Sequence, residues 1–196
     1  MKPAYTAAWA LRRLRQGNAR FVRGEARFPT VKKEVLAELA KGQHPYATII
    51  GCSDSRVPPE LVFDARFGEL FIVRVAGNVI SREVMGSIQY AALHLGTPLF
   101  VVLGHEGCGA VQAALARKLH GASQRRRINA LLDCILPGLR GLRRSSGLGD
   151  AVEANVRWSM RQLLATPEAK KRRKEGELKL VGAVYELKSG RVRFLT

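Results

Sequence analysis

The stretch ATIIGCSDSRV, residues 47–57, indicates the fold class more clearly than any other part of the chain. Its first four residues are apolar or β-branched, and polar residues with Cys52 follow at once, which predicts a short buried strand ending in a loop. A second stretch of the same kind, LFVVLGHEGCG at residues 99–109, predicts another buried strand that ends near His105 and Cys108. Segments with helical periodicity lie between these strands, so strands and helices are expected to alternate.

This alternation predicts an α/β fold with a mostly parallel central sheet and helices on both faces. Strands are expected over residues 47–50, 70–75, 99–103, 180–185 and 192–195. The turn at residues 188–190 makes the last two a hairpin, with an antiparallel C-terminal edge strand. Helices are expected over residues 5–22, 31–40, 58–63, 81–95, 108–119, 128–136 and 151–164. We expect one domain over residues 1–196, with an N-terminal helical arm (1–42) and an α/β core (43–196).

The charge of the chain is unusual, because 33 basic residues stand against 16 acidic ones and give a net charge of +17. The basic excess lies outside the motif-bearing middle, in the runs at residues 125–127, 140–144 and 170–174. A solvated basic surface is the ordinary interpretation of such runs. The alternative is attraction to nucleic acid, an anionic membrane or an acidic partner, although no helix-turn-helix, RNP-like or zinc-finger spacing supports it.

Composition also bears on where the protein works. No apolar run reaches about 18 residues, so no transmembrane helix is expected. The N-terminus lacks the pattern of a secretory signal, and three cysteines are too few for a disulfide framework. A cytoplasmic location is therefore expected.

The two strand ends carry residues that suit a metal ion. Sites in parallel sheets form beyond the carboxyl ends of the strands, which is where the loops with Cys52, His105 and Cys108 are expected. Two thiolates and an imidazole are ligands that zinc prefers, and a catalytic zinc with three protein ligands keeps a position open for water. Such an ion lowers the pKa of its bound water and makes hydroxide available near neutral pH.

Asp54, two residues after Cys52, has two interpretations. It could occupy the fourth position on the metal and exclude water. It could instead turn away, pair with Arg56 in a bidentate contact, and accept a hydrogen bond from zinc-bound hydroxide.

Along nearly its whole length the sequence resembles the β-class carbonic anhydrases. CSDSRV at residues 52–57 and GHEGCG at residues 104–109 are similar to the two zinc-site motifs of that family, and further similar blocks are LRQGNARFVR (14–23), GELFIVRVAGN (68–78) and VGAVYELKSGRVRFL (181–195). The resemblance implies reversible hydration of CO2 to bicarbonate and a proton. It also implies one zinc ion per subunit, held by Cys52, His105 and Cys108, with Asp54 and Arg56 as the catalytic pair.

The family divides into two groups that differ near the first cysteine. One group carries a glutamine nine positions before it, matched by Gln43, whose amide would donate to a substrate oxygen alongside the Gly109 N–H. The other group, regulated by bicarbonate, carries a tryptophan three positions before it, where this chain has Ile49. We therefore expect the open, plant-type arrangement, in which Asp54 stays off the metal at neutral pH and binds it only in a closed form.

The resemblance also implies a substrate pocket and an oligomer. The small apolar CO2 pocket would be lined by Phe71, Ala76 and Tyr90, with Tyr90 contributed across a dimer interface. The family's N-terminal helix reaches over a neighbouring subunit, so a homodimer or homotetramer is expected. Two alternatives stay open at this point: a carbonyl sulfide or carbon disulfide hydrolase on the same scaffold, and a non-catalytic, metal-binding basic interaction module.

Overall fold

A five-stranded sheet forms the centre of the molecule in the computed structural model, which describes residues 5–27 and 33–195. The strand order is β2-β1-β3-β4-β5. The strands are β1 (Ala47–Gly51), β2 (Leu70–Arg74), β3 (Leu99–His105), β4 (Lys179–Tyr185) and β5 (Val192–Phe194). The first four run parallel and β5 is antiparallel to β4, which confirms the predicted fold class.

The parallel register brings the ends of the motif-bearing strands to one edge of the sheet. Gly51 at the end of β1 pairs with Arg74 of β2 and with Leu103 of β3. Every residue of β1 and β3 is buried, so both faces of these strands are covered. The loops that follow β1 and β3 therefore leave the core side by side.

The helices follow the predicted order with small shifts at their ends. The described part of the chain contains α1 (Ala7–Val22), α2 (Lys33–Leu39), α3 (Pro59–Val62), α4 (Arg82–Leu93), α5 (Gly109–His120), α6 (Arg126–Ile135), α7 (Leu148–Leu164) and α8 (Pro167–Lys174). Ser81 caps α4 as expected, since its side chain accepts a hydrogen bond from the Val84 N–H. The first two residues of the helix predicted over 31–40 lie outside the described residues.

Helix α8 was not predicted, because its sequence, PEAKKRRK, has no apolar periodicity. Local signals account for its formation. Thr166 accepts a hydrogen bond from the Ala169 N–H at the N-terminus, and Pro167 occupies the first turn, where its missing N–H costs little. Arg172 is buried and donates to the carbonyl of Ala92, which attaches α8 to α4.

Helix α1 packs on its own chain. Ala10 and Leu14 are fully buried, and the helix contacts α3 and β3. Asn18 fixes it further, donating to the carbonyl of Val62 and accepting from the Val192 N–H. One face of this helix thus belongs to the core of its own subunit.

Helix α7 packs closely on the sheet because β3 and β4 carry glycines beneath it. A Cβ atom on Gly104 would lie 2.6 Å from Cγ2 of Val156 and 3.1 Å from Cγ1 of Val152. Val156 also packs on Gly182 of β4, where a Cβ atom would lie 3.0 Å from Cγ1 of Val156. This close packing places α7 directly behind the end of β3, where His105 lies.

Candidate metal centre

The two motif loops bring three ligand-type side chains together at the carboxyl edge of the sheet. Cys52 follows β1, His105 ends β3, and Cys108 precedes the first residue of α5. All three are buried, and their ligand atoms lie within 4.8 Å of one another. No other group of three such side chains that could hold a metal was found in the part of the chain that the structure describes.

The orientation of His105 leaves one ring nitrogen available as a ligand. Its Nδ1 lies 2.8 Å from the carbonyl oxygen of Glu106, and since a carbonyl only accepts, Nδ1 carries the proton. The Nε2 atom therefore presents a lone pair, and it is buried without a hydrogen-bond partner. A backbone acceptor that fixes the tautomer in this way is typical of metal-bound histidines.

The two sulfur atoms are spaced as a shared ion requires. Cys52 Sγ and Cys108 Sγ are 4.0 Å apart, and two thiolates bound to a tetrahedral zinc lie about 3.8 Å apart. The hydrogen bond with Cys108 is the main cause that lowers the pKa of Cys52 to about 4, while the Cys52 thiolate raises the pKa of Cys108. A divalent cation would satisfy both sulfurs and the free Nε2 of His105, so the residues fit zinc.

Asp54 and Arg56 form a bidentate pair beside this cluster. Arg56 Nε and Nη2 donate to Asp54 Oδ1 and Oδ2 at 2.9 and 2.8 Å, and the Arg56 N–H also donates to Oδ1. These hydrogen bonds hold the pKa of the Asp54 carboxyl well below its usual range. Asp54 Oδ2 lies 3.9 Å from His105 Nε2, so the carboxylate faces the cluster while Arg56 holds both of its oxygens.

Arg74 fixes the backbone of the first motif loop. Its Nε donates to the carbonyl of Cys52 at 2.7 Å, and its Nη2 donates to the carbonyl of Asp54 at 2.6 Å. The strand register accounts for this role, because Arg74 pairs with Gly51 and must therefore lie beside the loop that starts at Cys52.

The turn after β2 supports the same loop from the other side. The Gly77 N–H donates to Cys52 Sγ at 3.3 Å, and Gly77 has φ +67°, a conformation that favours glycine. Helix α7 holds this turn, since Asn155 donates to the carbonyl of Gly77 and Ser159 to that of Asn78. Sequence analysis missed Asn155 and Ser159, because isolated polar residues on an amphipathic helix carry no signal of their partners.

The remaining predicted site residues fall into two groups. Ala76 lies in the turn beside Cys52, and Gly109 directly follows Cys108 at the start of α5. Gln43, Phe71 and Tyr90 lie toward the amino end of the strands: Gln43 precedes β1, and Phe71 pairs with Thr48 near the start of β2. The length of β1 corresponds to about 17 Å, so one chain does not bring these three residues to the metal cluster.

Comparison with known proteins agrees with this geometry. A family model described as carbonic anhydrase matches residues 47–192. A curated protein named carbonic anhydrase 2 from Mycobacterium tuberculosis is 40% identical over 188 residues, which cover 94% of this chain and 90% of that protein. The chain belongs to the β-carbonic anhydrase family.

Solved structures of the β class share the fold. The β-carbonic anhydrase CafA of Aspergillus fumigatus superposes with a TM-score of 0.73 at 28% identity, over 96% of this chain and 89% of that one. The β-carbonic anhydrase of Coccomyxa, solved in complex with acetazolamide, superposes with a TM-score of 0.71 at 29% identity, over 81% and 75% of the two chains. This chain is accordingly an enzyme of the β-carbonic anhydrase type.

Membrane attachment by a spanning helix finds no support in the part of the chain that the structure describes. None of its helices combines the length and the apolar character that crossing a bilayer requires.

Proposed function

We propose that the protein catalyses the reversible hydration of CO2 to bicarbonate and a proton at one zinc ion per subunit, held by Cys52, His105 and Cys108. The observation that carries the proposal is the buried Cys-His-Cys cluster with the unpartnered Nε2 of His105 beside a fixed carboxylate. When bound, zinc would lower the pKa of a water molecule toward neutrality and so supply the nucleophile.

The residues around the cluster would orient the reactants. Asp54 is ionised across the physiological pH range, so it can accept a hydrogen bond from the attacking water and direct the oxygen lone pair toward CO2. Arg56 keeps that carboxylate in place, and its Nη2 also donates to the carbonyl of Gly107 in the second motif loop at 3.3 Å. The N–H of Gly109, at the start of α5, is available to a substrate oxygen.

The Asp54–Arg56 geometry supports an open arrangement at neutral pH. Both carboxylate oxygens of Asp54 are engaged by Arg56, and Asp54 does not belong to the group of residues whose ligand atoms cluster. Ile49 in place of tryptophan is consistent with the same subgroup.

We further propose a homodimer, or a dimer of dimers, in which the neighbouring subunit supplies Gln43, Phe71 and Tyr90 to each site. The edge strand β2 and the adjacent face of α4 support this proposal. Tyr90 and Leu93 lie one turn apart on α4 and are 47% and 59% exposed, and Tyr90 packs on Phe71 of the edge strand. An unpaired edge beside exposed apolar side chains is typical of an interface.

The proposed organisation is one domain over residues 1–196, acting in the cytoplasm. The three free cysteines fit a reducing compartment.

Metal content and CO2 hydration test the function together. Cys108→Ser should lose both zinc and activity, whereas Cys134→Ser, a matched change at the half-buried cysteine outside the cluster, should keep both. A Cys108→Ser variant that retains one zinc and full activity would contradict the ligand set. If the same zinc-loaded protein released sulfide from carbonyl sulfide faster than it hydrated CO2, carbonyl sulfide and not CO2 would be its substrate.

A further inference from the structure

Two of the basic runs meet at one end of the α5–α6 pair. Near the end of α5, Arg117 Nη1 donates to the carbonyl of Asn129 in α6 at 3.2 Å and pairs with Asp133 at 3.0 Å. At the other end, Ala110 of α5 and Ile135 of α6 both approach the same point beside Gly77. The two helices are therefore antiparallel, and the start of α6, with residues 125–127, lies beside the end of α5.

The third segment of this surface is the loop after α6. Lys118 of α5 donates through Nζ to the carbonyl of Arg140 at 3.2 Å and to that of Leu142. These contacts hold the loop against the same end of α5. The result is a surface that we call the arginine face, formed by Arg125, Arg126, Arg127, Arg140, Arg143 and Arg144.

The charge of the arginine face is not neutralised locally. All six arginines are exposed, and none forms an ion pair with a carboxylate of the residues that the structure describes. The nearby acids are engaged elsewhere, since Asp133 pairs with Arg117 and Asp150 accepts from the Gly147 N–H. The basic run of α8 differs, because its Arg172 is buried beside Glu177.

We propose that the arginine face binds the phosphate backbone of a nucleic acid duplex. Arginine is charged at all physiological pH values and binds phosphate oxygens through a planar, bidentate group. The ring beside the loop after α6, Trp158, is half-buried against Gly138, donates through Nε1 to the carbonyl of Cys134 and is covered by Arg161, 5.4 Å from its centroid. It is therefore already packed and is not open for an unpaired base to stack on. Contact with phosphates and not with bases makes the binding independent of sequence and strongly dependent on salt.

An anionic membrane fits this surface less well. Membrane-surface segments combine basic residues with several apolar anchors. Among the exposed large apolar side chains of the described residues, only Ile128, which is 45% exposed, lies beside the arginine face. One anchor of this size leaves phosphate contact as the main source of affinity.

The arginine face is separate from the metal centre. Cys108 lies at the start of α5 and the face at its end, about 18 Å away for a helix of twelve residues. Binding there leaves the path to the metal cluster free. The two activities can therefore be tested independently.

Fluorescence anisotropy with a labelled 20-base-pair DNA duplex, between 50 and 200 mM salt, tests the proposal. Replacing Arg125, Arg126 and Arg127 together by glutamine should weaken binding at 50 mM salt at least tenfold. It should also reduce the slope of log K against log salt by about 2 to 3. The matched control replaces Lys170, Lys171 and Lys174 of α8 by glutamine, which removes the same charge elsewhere and should change affinity less than threefold.

Four results would overturn the proposal. One is the absence of duplex binding by the unaltered protein at 50 mM salt. A second is equal weakening by both triple variants, which would mean that net charge alone attracts the duplex. A third is tighter binding to phosphatidylglycerol vesicles than to the duplex. The fourth is an unchanged affinity for the duplex in a second variant, in which Arg140, Arg143 and Arg144 are replaced by glutamine. CO2 hydration should be the same in all of these variants, so a loss of folding would be detected.

Discussion

At the scale of single residues, Arg74 connects the fold to the chemistry. Its guanidinium binds the carbonyls of Cys52 and Asp54, so one side chain sets the direction of both a proposed metal ligand and the proposed catalytic carboxylate. Small displacements of reacting groups reduce rates strongly, even where binding is kept. Arg74 is thus a positioning residue.

Replacing Arg74 by glutamine should reduce kcat for CO2 hydration about tenfold or more while zinc stays bound, because the ligands remain and only their loop relaxes. Arg74→Lys should recover part of the loss, since an ammonium group reaches one carbonyl. Arg66→Gln is the control, because Arg66 is exposed and its hydrogen bonds with Glu69 are made by its backbone N–H and carbonyl, which the substitution keeps. Unchanged kcat in Arg74→Gln would show that the loop holds its shape without this side chain.

At the scale of elements, the packing of α7 on β3 determines how firmly the site is supported. Gly104 leaves room for Val152 and Val156, and the next residue along the strand is His105. Asn155, next to Val156 on α7, holds the turn of Gly77. The same helix therefore packs behind one motif loop and fixes the support of the other.

Gly104→Ala should lower the free energy of unfolding by about 1–3 kcal/mol, because the added methyl group meets the stiff side chain of Val156. Gly149→Ala is the matched control in α7, where a Cβ meets nothing within 4 Å. That change should be neutral or stabilise by up to about 1 kcal/mol, since alanine favours helix. Urea unfolding at fixed protein and zinc concentration measures both. Equal stabilities of the two variants would contradict the close packing.

The elements that could be predicted are those with an apolar pattern. Strands such as ATIIG and LFVVLGH consist mostly of apolar or β-branched residues, and α7 has a clear apolar face, so their positions could be predicted from the pattern. Helix α8 could not be found this way, because its stability comes from a cap, a proline and one buried arginine. The contacts of Arg74 and Asn155 depend on strand register and helix rotation, which the sequence does not show.

At the scale of the whole molecule, the proposed substrate site depends on the proposed subunit arrangement. The two ligand motifs alone predicted the cluster of Cys52, His105 and Cys108. Each motif lies at the end of a strand, and these two strands are neighbours in a parallel sheet. Gln43, Phe71 and Tyr90 came from the family resemblance, and one chain holds them at the opposite end of the strands. A second subunit must supply them if they act at the metal.

Mixed dimers test that arrangement. A chain with Gln43→Ala and a chain with Cys108→Ser should each be nearly inactive, but co-expressed they should recover about a quarter of wild-type activity. Half of randomly paired dimers are mixed, and each mixed dimer contains one complete site. If activity does not exceed the mean of the two single variants, Gln43 acts within its own chain or not at all.

The acid sensitivity of the molecule should depend in part on Asp64. Burial acts to raise the pKa of this carboxyl, but the Arg27 N–H and the Arg20 guanidinium, 2.7 and 2.5 Å away, lower it overall. Because the folded pKa is the lower one, the pair stabilises the fold above the unfolded pKa of about 3.9, and the contribution is lost as pH falls through the folded pKa.

Asp64→Asn should therefore lower the free energy of unfolding at pH 7 by about 1–3 kcal/mol, and this difference from the unaltered chain should shrink below about pH 4. Glu25→Gln, which removes an exposed pair with Arg23, is the control and should have little effect at any pH. A difference that stays constant from pH 7 to pH 3 would contradict the assigned ionisation.

Stopped-flow CO2 hydration by the zinc-loaded protein, between about pH 6.5 and 9 and with Asp54→Asn alongside, tests the central claim most directly. The geometry of Asp54 and Arg56 predicts rapid hydration already near pH 7, reduced about 100-fold or more in Asp54→Asn, where the orienting carboxylate is lost. Activity that begins only above about pH 8 would contradict the open arrangement. The absence of CO2 hydration at every pH, with one zinc bound per chain, would contradict the proposed function itself.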